Sequence, residues 1–202
     1  APEDAIVYRR RSIFDSEYIF VMNVPPFEKR EYCDTYTLPK NSRLMNLGSH
    51  VHKRGTLFRT WLPPNEPCTP GPDCQPNAED PIYTSFIYND PLYLLFDESL
   101  KFDDADEKTR TLKFCAVFDN GADYPELLKR RSQLPEGASA CNTAQMRCLN
   151  GPHHNTLCGG DHAACDSTQG TGDGNCDACV VRGGVTTEDE MFILLGSYYI
   201  ED

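Results

Sequence analysis

Two histidines, His50 and His52, stand one residue apart in the run Gly48-Ser49-His50-Val51-His52-Lys53-Arg54-Gly55-Thr56-Leu57-Phe58-Arg59-Thr60-Trp61. The flanking residues read as β-strand. Side chains on a strand alternate between faces, so both imidazoles should point the same way, with their Cα atoms roughly 6.5 Å apart. Two ring nitrogens at that separation can grip one metal ion. Imidazole by itself does not choose among zinc, copper, iron and nickel, and a partly buried histidine satisfied by backbone groups is the ordinary alternative.

Near the other end, Thr186-Thr187-Glu188-Asp189-Glu190-Met191-Phe192 leads into the apolar run Ile193-Leu194-Leu195 and then Tyr198-Tyr199. Taken alone, Met191 reads as a core methionine. Taken together, a His-x-His strand followed far downstream by Thr-Glu-Asp-Glu-Met and a Tyr-Tyr strand resembles the C-terminal copper domain of the copper type II, ascorbate-dependent monooxygenases. These are the peptidylglycine α-hydroxylating and dopamine β-monooxygenases. The resemblance covers roughly Tyr18 to Phe118 and Gly183 to Tyr199. It implies a copper ion held by His50, His52 and Met191, and a β-sandwich of jelly-roll type. The ligand set is chemically coherent, because a thioether favours Cu(I) while two imidazoles hold both oxidation states.

The resemblance also implies a partner. Family enzymes carry a separate histidine-bound copper lobe that supplies an electron, and the residues before His50, about 50 in number, are too few to form one. The expected function is therefore the oxygen-activating half of a monooxygenase that hydroxylates a C–H bond of a small molecule or peptide, incomplete without that lobe. No catalytic residue can be assigned. The alternative is a non-catalytic, extracytoplasmic structural or interaction subunit of a larger assembly, built on the same fold. Two departures from the family concern cysteine. Phe192 stands where a cysteine usually follows the ligand methionine, and the chain stops at Asp202, before the cysteine expected to meet the equivalent of Cys33. The disulfide framework is thus expected to be rewired.

Composition bounds these readings. At 202 residues with 39% hydrophobic content, the chain can bury a substantial single core, and residues 1–202 are read as one domain. A net charge of −12 argues against nucleic acid as a partner, for which a basic stripe would be expected. No run approaches the ~20 apolar residues that cross a bilayer. Ten cysteines at short, irregular spacings point to an oxidising compartment, secreted or periplasmic. A cytosolic zinc protein is the competing view. Cys176-x-x-Cys179 has ligand spacing, but no second such pair follows.

The elements that must position these groups read as an all-β, antiparallel, jelly-roll-like β-sandwich with a disulfide-rich loop insertion. Strands are expected over Ile6 to Arg11, Glu17 to Val24, Glu31 to Leu38, Arg43 to Leu62 (the stretch carrying both histidines), Ile82 to Tyr88, Leu92 to Phe96 and Leu112 to Phe118. Gly48 and Gly55 read as bulge or bend positions, and Lys53 and Arg54 as a solvated patch. Asp119-Asn120-Gly121 reads as a turn needing positive φ. Pro125 to Gln133 reads as two helical turns at most.

Residues 137–181 hold Cys141, Cys148, Cys158, Cys165, Cys176 and Cys179 with almost no apolar partners, so this insertion must be stapled to be ordered. Cys68 and Cys74 suit a local disulfide. If the six cysteines of the insertion pair among themselves, Cys33 and Cys115 remain for each other. The carboxylates Asp161, Asp166, Asp173 and Asp177 could bind calcium, but their spacing is not that of an EF-hand and turn chemistry is the stronger reading. His153, His154 and His162 read as exposed loop histidines.

Overall fold

Leu112, Phe114, Ala116 and Phe118 fall at alternate positions of one strand and are each at most 1% exposed, the signature of a strand with one face on a core. A computed structural model of the protein describes residues 8–15, 17–168 and 170–201, and twelve strands account for most of its regular structure. These are β1 (Arg11–Phe14), β2 (Asn23–Val24), β3 (Lys29–Thr37), β4 (Ser42–His50), β5 (Gly55–Trp61), β6 (Tyr83–Ser85), β7 (Leu94–Phe102), β8 (Thr111–Asp119), β9 (Arg147–Leu149), β10 (Asn175–Ala178), β11 (Val181–Arg182) and β12 (Ile193–Ile200).

Two four-stranded antiparallel sheets, ordered β1-β12-β4-β7 and β3-β8-β5-β6, form the sandwich. Ile13, Leu44, Leu47, Leu194 and Tyr198 of the first sheet pack against Phe58, Leu112, Phe114 and Phe118 of the second, with Phe192 between them. Each such side chain contributes about 1.5–3 kcal/mol of burial. The Phe114 and Phe192 rings lie 4.9 Å apart, so the residue just after Met191 is clamped in the core. The expected all-β antiparallel sandwich is thus the observed fold.

Where strand limits differ from expectation, the reason is physical. Ile6 and Val7 lie outside the described residues, and β1 begins only at Arg11. Between Glu17 and Val24, Val21 N–H donates to the Tyr18 carbonyl in a turn, and only Asn23 and Val24 pair, with β11. Met22 and Val24 are 2% and 0% exposed, so the apolar character of this run reports core burial rather than strand pairing. Arg43 to Leu62 is not one strand but two, β4 and β5, which belong to different sheets and are joined by a turn at residues 51–54, where Gly55 N–H donates to the His52 carbonyl at 2.9 Å. Gly55 makes this turn possible: a Cβ there would sit 2.4 Å from Val51 Cγ2. Its neighbourhood is also bulged, as expected. Gly48 is not; its missing side chain leaves room for the Tyr93 ring.

All ten cysteines are oxidised, as Cys33–Cys115, Cys68–Cys74, Cys141–Cys179, Cys148–Cys165 and Cys158–Cys176. Cys33 and Cys115 face each other directly across β3 and β8. The six cysteines of the insertion pair among themselves and, with Met146, form a small buried cluster of their own, flanked by β9 and β10. Five disulfides place the protein in an oxidising compartment. Among the described residues, no helix is long and apolar enough to cross a membrane.

Candidate metal centre

His50 is the last residue of β4 and lies opposite Ile193 of β12, while His52 follows in the turn toward β5. The two are therefore not same-face residues of one strand. The turn nevertheless brings their rings together, 5.2 Å between centroids and close to perpendicular at 87°. Met191 lies two residues before Ile193, the first residue of β12 and the partner of His50. Met191 and His50 are half-buried, and His52 is buried.

The His52 turn is held by Glu190, just before β12, the neighbour of β4 in the same sheet. One carboxylate oxygen accepts from His52 N–H at 2.9 Å and the other from Arg54 N–H at 2.7 Å. Glu190 is wholly buried, and burial pushes its carboxyl up to about 8 against the opposing pull of those two N–H groups and of the Arg54 charge. The neighbouring peptide orients the ring: His52 Nδ1 lies 3.1 Å from the Asp189 carbonyl oxygen. A carbonyl can only accept, so Nδ1 carries the proton and the lone pair sits on Nε2. This is the arrangement by which metal-ligating histidines are commonly oriented. Burial, reinforced by the nearby His52, lowers the pKa of His50 and favours its neutral, ligating form.

Arg54 and Lys53 correct the expectation of a solvated patch. Arg54 is 0% exposed; it donates to the Leu127 and Glu188 carbonyls and pairs with the Glu188 carboxylate at 2.9 Å, and Lys53 pairs with the same carboxylate. Burial raises the pKa of Glu188, but the Lys53 and Arg54 hydrogen bonds outweigh it, and the carboxyl lies below its ordinary value. Asp189 is likewise raised by burial and then carried below its ordinary value by bonds from Ser139, Lys129 and Thr186. Glu188, Asp189, Glu190, Arg54 and Lys129 are the residues sequence reasoning missed. The available signal was the acidic triplet directly before an apolar strand, too charged to border a core without buried cations to meet it.

Beside the turn, a cavity of about 340 Å³ is lined by Lys53, Gly55, Thr56, Phe86, Tyr88, Tyr124, Glu126 and Leu127. An acidic cavity of about 400 Å³, lined in part by Asp15, Glu17 and Asp34, shares none of these residues. Burial pushes Asp34 there up to about 7.

Two other groupings bring metal-ligand atom types within 4.8 Å of one another, Cys148/Cys158/Cys165 and Glu31/Cys33/Cys115. Every sulfur in them is committed to a disulfide, so none is available as a thiolate. Cys176 and Cys179 belong to different disulfides, which removes the zinc-pair reading of their spacing. Three of the insertion's aspartates serve backbone within it: Asp161 accepts from Ala163 N–H, Asp166 from Gly174 N–H and Asp173 from Ser167 N–H. Asp177 instead accepts from Ser132 N–H and hydroxyl, 45 residues away. His154 packs its ring 4.5 Å from Phe27, and His153 and His162 are exposed.

A scan against protein-family models gives no match to the chain, and a search of curated proteins returns none either. The functional reading therefore rests on the chain's own residues.

Proposed function

We propose that the chain is a copper-binding domain of the kind that forms the oxygen-activating half of C–H-hydroxylating monooxygenases, with His50, His52 and Met191 as ligands. The observation that carries this reading is the His52 Nδ1 bond to the Asp189 carbonyl, which frees Nε2 on a ring already 5.2 Å from the His50 ring. The donor set fits copper: two neutral imidazoles suit either oxidation state, and a thioether is a soft donor that favours Cu(I) over the zinc or calcium that a carboxylate-rich site would take.

When bound, copper supplies one-electron reduction of dioxygen toward hydroxylation of a C–H bond. The chain's own residues do the rest. Glu190 fixes the backbone that carries His52, and the Asp189 carbonyl sets its ring. The Phe192 clamp in the core fixes the register from which Met191 projects. Hydroxylation takes more electrons than one copper delivers, so an electron-supplying lobe, on an upstream segment or a separate chain, is the proposed partner. The substrate is a small molecule or peptide, and the compartment is the periplasm or the exterior.

Titrating the metal-free protein with Cu(I) against a chromophoric chelator tests the ligand set. One equivalent bound by the wild type, with binding at least tenfold weaker in His50→Ala and His52→Ala, is the expected result. Equal affinity in all three proteins would overturn it.

A second reading, a non-catalytic interaction subunit, draws on the surface around β6 and β7. Phe86, Leu92 and Leu95 are 68%, 63% and 70% exposed, with Ile87 and Tyr93 between them, an apolar stretch of the kind that marks contact surfaces. In this reading copper is structural or absent, so a titration that finds no stoichiometric copper leaves it as the standing alternative.

A further inference from the structure

The carboxylate of Asp189, 2% exposed, accepts hydrogen bonds from Lys129 Nζ at 2.9 Å, from Ser139 N–H at 3.1 and 3.2 Å, from the Ser139 hydroxyl and from the Thr186 hydroxyl at 2.8 Å. Lys129 is 1% exposed and donates as well to the Ser139 carbonyl and hydroxyl. Its own carbonyl accepts Cys179 N–H at 2.8 Å, and Cys179 is disulfide-bonded to Cys141, two residues beyond Ser139. The stapled insertion is thus tied to Lys129 at both ends, at Ser139 by the ammonium and at Cys179 by the backbone carbonyl. That ammonium grips the side chain of the residue whose main-chain carbonyl takes His52 Nδ1.

We infer that Lys129 is a positioning residue for the metal centre: through Asp189 it ties the cysteine-rich insertion to His52 and holds that ring in the tautomer that presents Nε2. Removing the ammonium leaves a buried carboxylate without its counter-cation, which is costly enough that the 186–190 turn must shift to hydrate it. The Asp189 carbonyl moves with the turn. His52 Nδ1 then loses its acceptor, and the ring is free to populate the other tautomer or to rotate. Arg54 does not substitute for Lys129, because its contacts go to Glu188 and Leu127. The inference rests on the copper reading for its effect on affinity but not for its effect on the ring.

Ring-nitrogen NMR of the metal-free protein tests it, with Cu(I) competition as a second readout. In the wild type, His52 should show the Nδ1-protonated tautomer. In Lys129→Met it should show a mixture, with Cu(I) affinity about tenfold weaker, the usual scale for loss of a residue that orients a ligand. Lys129→Arg, which keeps the charge, should restore both. A folded Lys129→Met with an unchanged tautomer and unchanged affinity would overturn the proposal. If Lys129→Met does not fold, Ser139→Ala carries the test: partial tautomer mixing supports the positioning role, and none overturns it. A wild type that shows the Nδ1-protonated tautomer yet binds no copper would sink the metal reading while leaving this one standing.

Discussion

Replacing Glu190 with glutamine should change how stability depends on pH, and the size of the change follows from the carboxyl's environment. Glu190 is completely buried, and its carboxyl is pushed from 4.5 to about 8. An acid whose folded pKa is raised binds a proton in the native state that the unfolded state has already released between those two values, so stability falls as pH rises through that window. At about 1.4 kcal/mol per unit, the loss by pH 9 is on the order of 3–5 kcal/mol for a group this deeply buried. Glutamine keeps the shape and cannot ionise, but it sets an amide NH₂ against one of the two backbone N–H groups, at a pH-independent cost of about 1–3 kcal/mol. Glu190→Gln should therefore be the less stable protein at pH 5 and should close the gap, or pass the wild type, by pH 9. Asp34, also raised by burial, slopes both proteins alike and cancels in the difference. Urea unfolding of the metal-free proteins at pH 5, 7 and 9, with disulfides intact, measures this directly. A stability difference constant to within about 1 kcal/mol across that range would refute the reasoning.

Two further outcomes are expected. Removing the Cys33–Cys115 disulfide, which closes a separation of 82 residues, should cost about 4–5 kcal/mol by loop entropy, against about 2 kcal/mol for Cys68–Cys74 with its separation of 6; urea midpoints of the two double alanine variants check the ranking. Copper-loaded protein given ascorbate and oxygen should turn over peptidylglycine or phenethylamine substrates negligibly by itself, as read by oxygen consumption and product analysis. Robust single-chain hydroxylation would contradict this and turn attention to His153, His154 and His162.

What the sequence made legible was whatever depends on neighbours along the chain. Alternation exposed the strand expected over Glu31 to Leu38 and observed as Lys29–Thr37, the turn signal at Asp119-Asn120-Gly121 closed the one expected over Leu112 to Phe118, and cysteine counting led to Cys33–Cys115 once the insertion was assumed to staple itself. Asn120-Gly121 marked a turn, and Gly121 does adopt a φ of +85°. The site was legible as a list but not as a geometry. His50 and His52 were found from their spacing, yet the reason given, a shared strand face, is not the one that brings them together. A tight turn between β4 and β5, held by Glu190, does so, through bonds spanning 136 and 138 residues that no local pattern records. Arg54 and Lys129 were illegible for the same cause: a charged side chain is read as solvated unless its buried partners are known, and those partners lie 134 and 60 residues away.

X-ray absorption at the copper edge of the Cu(I)-loaded protein measures the proposed ligand set most directly. Two imidazole nitrogens and one sulfur should scatter around the copper in the wild type. In Met191→Ile the sulfur should vanish, with Cu(I) binding weakened more than Cu(II) binding because the imidazoles remain. An absorption spectrum without sulfur in the wild type, or one unchanged by Met191→Ile, would contradict a centre built from His50, His52 and Met191.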